Sequence, residues 1–243
     1  MATSGTSVFN PDISDIVEEA YERAGLEMRT GYDLRTARRS LNFLMLEWQN
    51  RGINLWTVEE FATPLDLVKG TVDYNIDINT IALLDVVLRT NDGVINTQTD
   101  IHLSRISQPA YSFIPNKLTQ GQPLQYLYNR IGIRDYNPTT GESLPSTITL
   151  WPVPDETSKY KIYYWRIRRI SDAGDNASNT TDVPDRFLPS LVSGLAYHIA
   201  CKRPEATHRV PMLKQQYEES FREAADEDRV KVSARFVPNI LNY

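Results

Sequence analysis

The hydrophobic period of the sequence changes twice along the chain, and these changes limit the folds that it can adopt. Between residues 10 and 52, apolar side chains recur every three or four positions, as on one face of an amphipathic helix. From Trp56 to Arg169 they recur at every second position among aromatic and β-branched residues, which is typical of strands. The helical period returns between residues 185 and 228. We therefore predict an α+β fold in which a β-rich insertion separates two helical segments.

Two helices with a short connection are expected in the N-terminal segment. Asn10 is a good N-cap for the first helix, and Gly25 can end it. Thr30 and Asp33 have the spacing of a capping box at the start of the second helix, which Gly52 closes. Because the connection is short, we expect an antiparallel helical hairpin.

The insertion contains several predicted strands. Residues 67–76 have the pattern of a β-hairpin that turns at Lys69-Gly70, and residues 81–90 have the pattern of a buried strand. Three more strands are expected at residues 124–131, 147–151 and 160–168, with a short helix near residues 104–112. Short strands in succession favour a mostly antiparallel sheet or a small sandwich.

A second helical hairpin and an extended tail complete the chain. We predict a third helix over residues 185–202 and a fourth over residues 207–228, whose outer face is highly charged. The tail that follows is too short to form a core, so it should dock on its own domain or insert into a partner. Its apolar residues are Val230, Val232, Phe236, Val237, Ile240, Leu241 and Tyr243.

These patterns divide the chain into five predicted segments. They are an N-terminal helical hairpin (residues 1–55), a β-rich insertion domain (56–170), a polar flexible loop (171–183), a C-terminal helical hairpin (184–228) and an extended tail (229–243). The simplest packing places both hairpins in one four-helix bundle, with the β insertion as a second lobe.

The composition excludes several classes of protein. The chain of 243 residues has no run of eighteen or more apolar residues, so no transmembrane helix is expected, and its N-terminus has no secretory-signal pattern. The net charge of -5 argues against a dedicated duplex-DNA binder. A single cysteine, Cys201, excludes an internal disulfide, and its place on an apolar helix face predicts a buried thiol.

Motifs of catalysis are missing from the sequence. The three histidines are scattered, and none stands at metal-ligand spacing from a cysteine or from another histidine. The sequence has no glycine-rich phosphate loop, nucleophile elbow or dinucleotide fingerprint. We therefore expect no cofactor, no metal and no enzymatic activity.

One basic cluster lies on the second predicted helix. Arg35, Arg38 and Arg39 are off its apolar stripe and could meet either DNA or an acidic neighbouring subunit. We favour the subunit contact because the fourth helix is acidic, with Glu219 and Glu223 as the candidate partners.

A second basic cluster ends the last predicted strand. Arg166, Arg168 and Arg169 could touch the phosphate backbone of DNA, with Arg166 and Arg168 pointing to one face of the strand. The alternative is an exposed strand face whose charge is balanced by nearby acids.

Five stretches of sequence carry a resemblance to a known family. They are residues 16–25 (IVEEAYERAG), 36–42 (TARRSLN), 47–56 (EWQNRGINLW), 150–154 (LWPVP) and 191–197 (LVSGLAY). In this order they resemble the head-to-tail adaptors of short-tailed bacteriophages, also called head-completion, packaged-DNA-stabilisation or upper tail-tube proteins. The resemblance covers nearly the whole chain.

The resemblance implies a non-enzymatic virion protein at the head–tail junction, made in the host cytoplasm. Its partners would be the portal protein, the tail nozzle or tail-tube protein, and further copies of itself in a ring that is usually twelve-fold. Genomic DNA would pass through the ring without sequence specificity, and no membrane would be involved. The C-terminal segment would climb along the portal, which makes the apolar tail residues named above the candidate portal-binding residues.

Two other classes of function stay open at this stage. A tail-associated cell-wall hydrolase built on the β insertion would require two carboxylates that converge in a cleft. A carbohydrate-binding tail protein would use exposed aromatic side chains to stack on sugars. The candidates for stacking are Tyr126, Tyr128, Tyr136 and Trp151, for which we favour a place in the core and rim of the sheet.

Overall fold

A computed structural model describes residues 9–52, 55–130, 144–176 and 178–228. The described residues divide into two compact units. The helical unit contains the residues up to Trp56 together with those from Ile170 onward, and the β unit contains Thr57–Arg169. Helices and mainly antiparallel sheets are both present, which confirms the predicted α+β class.

Five α-helices lie in the described part of the chain. They are α1 (Ile13–Ala24), α2 (Gly31–Arg51), α3 (Gln108–Ser112), α4 (Leu188–Ala200) and α5 (Val210–Glu227). The short α3 belongs to the β unit, and the other four form the helical unit. The third and fourth helices predicted from the sequence begin with 3-10 turns, Asp185–Phe187 and Pro204–Arg209, before α4 and α5 start.

Helix α1 starts two residues later than an N-cap at Asn10 would place it. Asp12 is the N-cap, and its Oδ1 accepts a hydrogen bond of 2.9 Å from the backbone N–H of Asp15. The Asp15 carboxylate in turn accepts from the backbone N–H of Asp12 at 3.3 Å. This reciprocal pair satisfies two free N–H groups of the first turn, whereas Asn10 has no such partner three residues on.

The predicted start of α2 and the predicted ends of both N-terminal helices are confirmed. Thr30 Oγ1 accepts from the backbone N–H of Asp33 at 3.3 Å, and the Asp33 carboxylate accepts from that of Thr30 at 3.2 Å. Gly25 and Gly52 follow α1 and α2 with φ of 71° and 72°, a left-handed conformation that glycine adopts without a steric penalty.

Helix α4 lies at the centre of the helical unit and contacts α1, α2 and α5. A cluster of aromatic rings fills the core beside it, with the Trp48 centroid 5.6 Å from that of Phe187 and 5.4 Å from that of Phe221. At Gly194 a Cβ atom would lie 2.9 Å from both Leu44 Cδ2 and Tyr217 Cε2. Only glycine therefore permits this close approach of α4 to its neighbours.

The polar loop over residues 171–183 is anchored to the helical unit at its described residues. Ala173 is buried, and its backbone N–H donates to Asn42 Oδ1 at 2.9 Å. The backbone N–H of Ile13 donates to the carbonyl of Asn179 at 3.0 Å, next to a β-bridge between Asp12 and Thr180.

Nine strands form two sheets in the described part of the β unit. The strands are β1 (Val58–Glu60), β2 (Leu65–Asp66), β3 (Asp73–Asn75), β4 (Thr80–Thr90), β5 (Thr99–His102), β6 (Ser104–Ile106), β7 (Gln125–Asn129), β8 (Thr147–Trp151) and β9 (Tyr160–Arg168). One sheet has the order β1-β9-β4-β5, with β2 also paired to β9, and the other has the order β3-β8-β7-β6. The β6–β7 pair is parallel, and the other pairs are antiparallel.

The two sheets share one hydrophobic core, as in a small sandwich. Leu88 and Ile162 of the first sheet and Ile148 and Leu150 of the second are fully buried in it. The four strands predicted over residues 81–90, 124–131, 147–151 and 160–168 correspond to β4, β7, β8 and β9 and are confirmed.

The hairpin predicted over residues 67–76 is wrong. Its first half pairs with β9, where the Leu67 N–H donates to the Tyr160 carbonyl at 3.0 Å. Its second half pairs with β8, and the Ile76 N–H donates to the Ser146 carbonyl at 2.8 Å. The turn at Gly70 therefore carries the chain from one sheet to the other, because each half pairs with a strand far along the sequence and not with the other half.

Candidate functional surfaces of the helical unit and the β unit

Two adjoining depressions form a groove on the surface of the helical unit. The first, of about 510 Å³, lies between α1 and the start of α4, and the second, of about 430 Å³, lies between α4 and α5. They meet at Arg23 and Pro189, which line both. We call the two depressions together the acidic groove.

The first depression of the acidic groove has an apolar floor, and carboxylates line both depressions. Ile16, Leu188 and Val192 contribute to the floor of the first depression. The acids along the groove are Asp15, Glu19, Asp185, Glu219 and Glu223. Arg23 is the one base among the described lining residues, and it is already bonded, to Glu19 Oε1 and to Ser193 Oγ. The groove therefore suits a ligand that is apolar and positively charged.

The structure brings the two predicted acidic contact residues together. Glu219 and Glu223 are exposed one helical turn apart on α5, at the rim of the groove. On α2, Arg35 and Arg39 are exposed and also stand one turn apart. Arg38 is half-buried and donates to the backbone carbonyl of Asp175, so it has an intramolecular role as well.

Arg166 does not lie on the exposed face expected for it. Its guanidinium is 2.7 Å from Glu59 Oε1 and 2.6 Å from Asp77 Oδ1, and only 8% of its side chain is exposed. It also donates to Thr80 Oγ1 at 3.0 Å and stacks over the ring of Phe61. Two carboxylates and a hydroxyl from neighbouring segments thus draw Arg166 into the β unit, where DNA would not reach it.

The other two arginines of this cluster differ from each other. Arg168 Nε is 3.3 Å from Glu59 Oε2, and this carboxylate balances its charge. Arg169 has no carboxylate partner among the described residues, and its Nε is buried without a hydrogen bond there. Burial lowers the pKa of Arg169, and the positive charge of Arg130 lowers it further. Of the three arginines, Arg169 would therefore gain most from an external anion.

The described residues give the alternatives of sugar binding and hydrolysis little support. Tyr126 and Tyr128 are buried in the sandwich core, and the half-buried Trp151 donates from Nε1 to the Asn116 carbonyl. Tyr136 lies outside the described residues. Where a carboxyl pKa is shifted in the described part it is lowered, whereas a general acid needs a raised one. The shifted groups are Asp33, Asp92, Asp100 and Glu218.

Three other sequence expectations bear on function. Cys201 is exposed, not buried as predicted, because it follows the last buried turn of α4. No cluster of three or more histidine, cysteine, aspartate or glutamate side chains suited to a metal ion occurs among the described residues. Within that same part of the chain, every helix is too short or too polar to span a membrane.

The seven candidate portal-binding residues, from Val230 to Tyr243, lie outside the described residues. The described chain ends at Asp228, which is buried and forms an ion pair with Arg186. The position of this last residue fixes where the tail leaves the helical unit.

Comparison with known proteins identifies the family. No curated protein matches the chain. A family model described as SU10 adaptor protein matches residues 12–239, which include both compact units and most of the tail. The chain therefore belongs to the SU10 adaptor protein family and is a structural adaptor protein of a bacteriophage particle.

Proposed function

We propose that this protein is a head-to-tail adaptor that forms a ring under the portal and connects it to the tail nozzle or tube. The observation that carries the proposal is the family match over residues 12–239. Membership of an adaptor family implies contacts with portal and tail components and self-assembly. This proposal also includes the two antiparallel helical hairpins, the five predicted segments and a ring of twelve copies.

Surface charge supports contact between neighbouring copies. Arg35 and Arg39 form an exposed basic pair on α2, and Glu219 and Glu223 form an exposed acidic pair on α5. Both pairs have a spacing of one helical turn, so each arginine can face one carboxylate across an interface. A closed ring needs two different complementary surfaces on each copy, and these two pairs meet that need.

The ring would surround the genome as it leaves the head. A channel that DNA passes through should hold phosphates weakly, and the net charge of -5 agrees with this. Arg169 is the residue that we assign to passing phosphates, because no described carboxylate balances its charge. Arg166 is assigned to the fold instead.

The C-terminal tail is proposed as the portal-binding segment. Phe236, Ile240 and Leu241 would be buried on the portal, which stabilises the complex by about 25 cal/mol per Å² of apolar area before the cost of ordering the tail. Deleting residues 230–243 should abolish attachment to portal rings in a co-sedimentation experiment. The circular dichroism of the truncated protein should keep its helical signal, since the helical core ends before the deletion.

A point variant separates apolar burial from charge in the same experiment. The double variant Ile240→Asp, Leu241→Asp should lose portal attachment. Its matched control is Asn239→Asp, Asn242→Asp, which adds the same charge at adjacent positions and should retain attachment. Attachment of the truncated protein, or equal loss in both double variants, would refute portal binding through the apolar tail.

A further inference from the structure

The acidic groove begins beside the point at which the described chain ends. Asp228 is buried, and its Oδ1 accepts from Arg186 Nε at 2.9 Å. Arg186 directly follows Asp185, which lines the groove together with Leu188. The tail over residues 229–243 therefore leaves the helical unit next to one end of the groove.

The sequence of the tail complements the groove in charge and in polarity. The tail contains three bases, Arg229, Lys231 and Arg235, and no aspartate or glutamate. Apolar residues alternate with these bases through Val230 and Val232. The groove offers the opposite arrangement, with carboxylates along both depressions and an apolar floor in the first. The bases of the tail can thus pair with carboxylates of the groove while its apolar side chains are buried.

The tail is long enough to follow the whole groove. An extended chain spans about 3.3 Å per residue, so residues 229–243 can reach roughly 50 Å. Helix α1, which borders the groove, has 12 residues and is about 18 Å long. A short lead from Asp228 therefore leaves enough chain to cover both depressions.

We propose that in the free protein the tail docks into the acidic groove of its own chain. A groove of the same chain has the advantage of a high effective concentration, because the tail is tethered at its end. The docked tail would cover Glu219 and Glu223, the acidic pair at the groove rim.

A consequence follows that rests on the proposed function. If Glu219 and Glu223 contact a neighbouring subunit in the ring, a docked tail blocks that contact until the portal binds the tail. Portal binding would then release the subunit interface, so that rings form on the portal and not in solution. Docking itself needs no portal and can be tested on the monomer.

Paramagnetic relaxation enhancement tests this placement directly. The full chain carries the substitutions Cys201→Ser and Ser233→Cys, so that a nitroxide attaches to the single thiol at position 233 of the tail. Methyl signals are then compared between the oxidised and reduced forms of the nitroxide. Ile16 and Val192, which line the groove, should lose intensity. The reduced form of the nitroxide gives the reference intensity for each of these signals.

Two charge variants and one dilution sharpen the test. Glu223→Lys should restore intensity at Val192, because it removes an acid from the groove rim. Its matched control, Glu18→Lys, makes the same change at an exposed α1 residue that does not line the groove and should leave the broadening unchanged. Dilution of the labelled protein with an excess of unlabelled, isotope-enriched protein should produce no broadening in the unlabelled chains.

Three results would overturn the proposal. They are the absence of broadening at the groove, equal effects of Glu223→Lys and Glu18→Lys, and broadening of the unlabelled chains, which would place the tail on a second copy. None of these results bears on portal attachment. A protein that joins the portal but shows no broadening would retain the adaptor function and lose only the docked tail.

Discussion

The indole Nε1 of Trp48 donates a hydrogen bond of 2.9 Å to the hydroxyl of Tyr217, and this bond joins α2 to α5 inside the helical core. The Tyr217 hydroxyl in turn donates to Glu47 Oε1 at 3.1 Å. Both rings are almost completely buried. The bond between them therefore lies in the packed interior of the helical unit, where buried polar groups are normally hydrogen-bonded.

The Tyr217→Phe variant should be less stable than the wild type. Loss of the hydroxyl removes the hydrogen bond that the buried indole N–H of Trp48 donates to it, which costs about 1 kcal/mol in the free energy of unfolding. Urea denaturation followed by tryptophan fluorescence measures the difference. Tyr32→Phe is the matched control on α2, where the ring is 66% exposed, and its effect should stay within about 0.5 kcal/mol. Equal effects of the two variants would contradict a structural role for the bond.

Arg166 and Arg169 should respond differently to the same substitution. Arg166→Gln removes the cation that bridges Glu59 and Asp77, while Arg168 still contacts Glu59, and should cost about 2 kcal/mol of stability in the β unit. Arg169→Gln removes no ion pair among the described residues and should leave stability nearly unchanged. Thermal unfolding of both variants provides the comparison. A larger loss at Arg169 than at Arg166 would reverse the roles assigned to the two residues.

His198 should make the protein less stable as the solution is acidified. Burial lowers the pKa of His198 below 6.5, although the Glu47 carboxylate 3.6 Å away opposes the shift. Below pH 6.5 the unfolded chain therefore binds a proton at this histidine more readily than the folded chain does. The resulting loss of stability sets in as the pH falls through 6.5 and is complete below the lowered folded pKa.

Replacement of this histidine should flatten the dependence of stability on pH. In urea denaturation between about pH 7 and pH 5, His198→Gln should lose less stability on acidification than the wild type. His208→Gln, at an exposed position, is the control and should follow the wild type. Parallel curves for His198→Gln and the wild type would show that this half-buried histidine contributes nothing to the slope.

Reversal of the basic pair on α2 should impair ring assembly but not folding. Arg35→Glu with Arg39→Glu places like charges opposite the acidic pair of a neighbouring copy, and both positions are exposed. Adding Glu219→Arg and Glu223→Arg in the same chain restores the complementarity and should restore assembly. Native mass spectrometry of portal complexes counts the subunits that are bound.

A control for the charge reversal uses residues outside both pairs. Arg29→Glu with Lys69→Glu changes the net charge by the same amount at exposed positions and should leave assembly intact. Normal assembly of the Arg35→Glu, Arg39→Glu variant would refute the proposed contact. If the variant with all four substitutions does not recover ring assembly, the basic and acidic pairs do not face each other.

The helices were predictable because their signals are local. Thr30 and Asp33 form the expected capping box, and Gly25 ends α1 as expected, since each depends on residues only a few positions away. The start of α1 was misplaced because Asn10 and Asp12 are both good N-caps. Only the reciprocal bond with Asp15 decides between them.

The errors in the β unit have a different cause. The hairpin over residues 67–76 was inferred from a local turn, but its halves pair with β9 and β8, which lie far along the chain. Arg166 has the alternation of an exposed strand residue, yet Glu59 and Asp77 reach it from segments about 90 or more positions earlier. Pairing between distant segments leaves no periodic signal in the sequence.

The acidic groove also could not be found by pattern. Its lining combines residues of α1, α4 and α5 with Phe9 and Asp185, and no single helix shows more than part of it. The acidic face of α5 was visible in the sequence, and so were the bases of the tail. What was missing was the position of Asp228 beside the groove, which depends on the packed helices.

The most direct test of the adaptor function is the mass of the protein in solution by light scattering, alone and then mixed with portal rings from the same source. We predict a monomer that joins the portal in a fixed, ring-like stoichiometry. A stable small oligomer that does not bind the portal would contradict the adaptor function. It would favour a function in which the β unit binds a substrate.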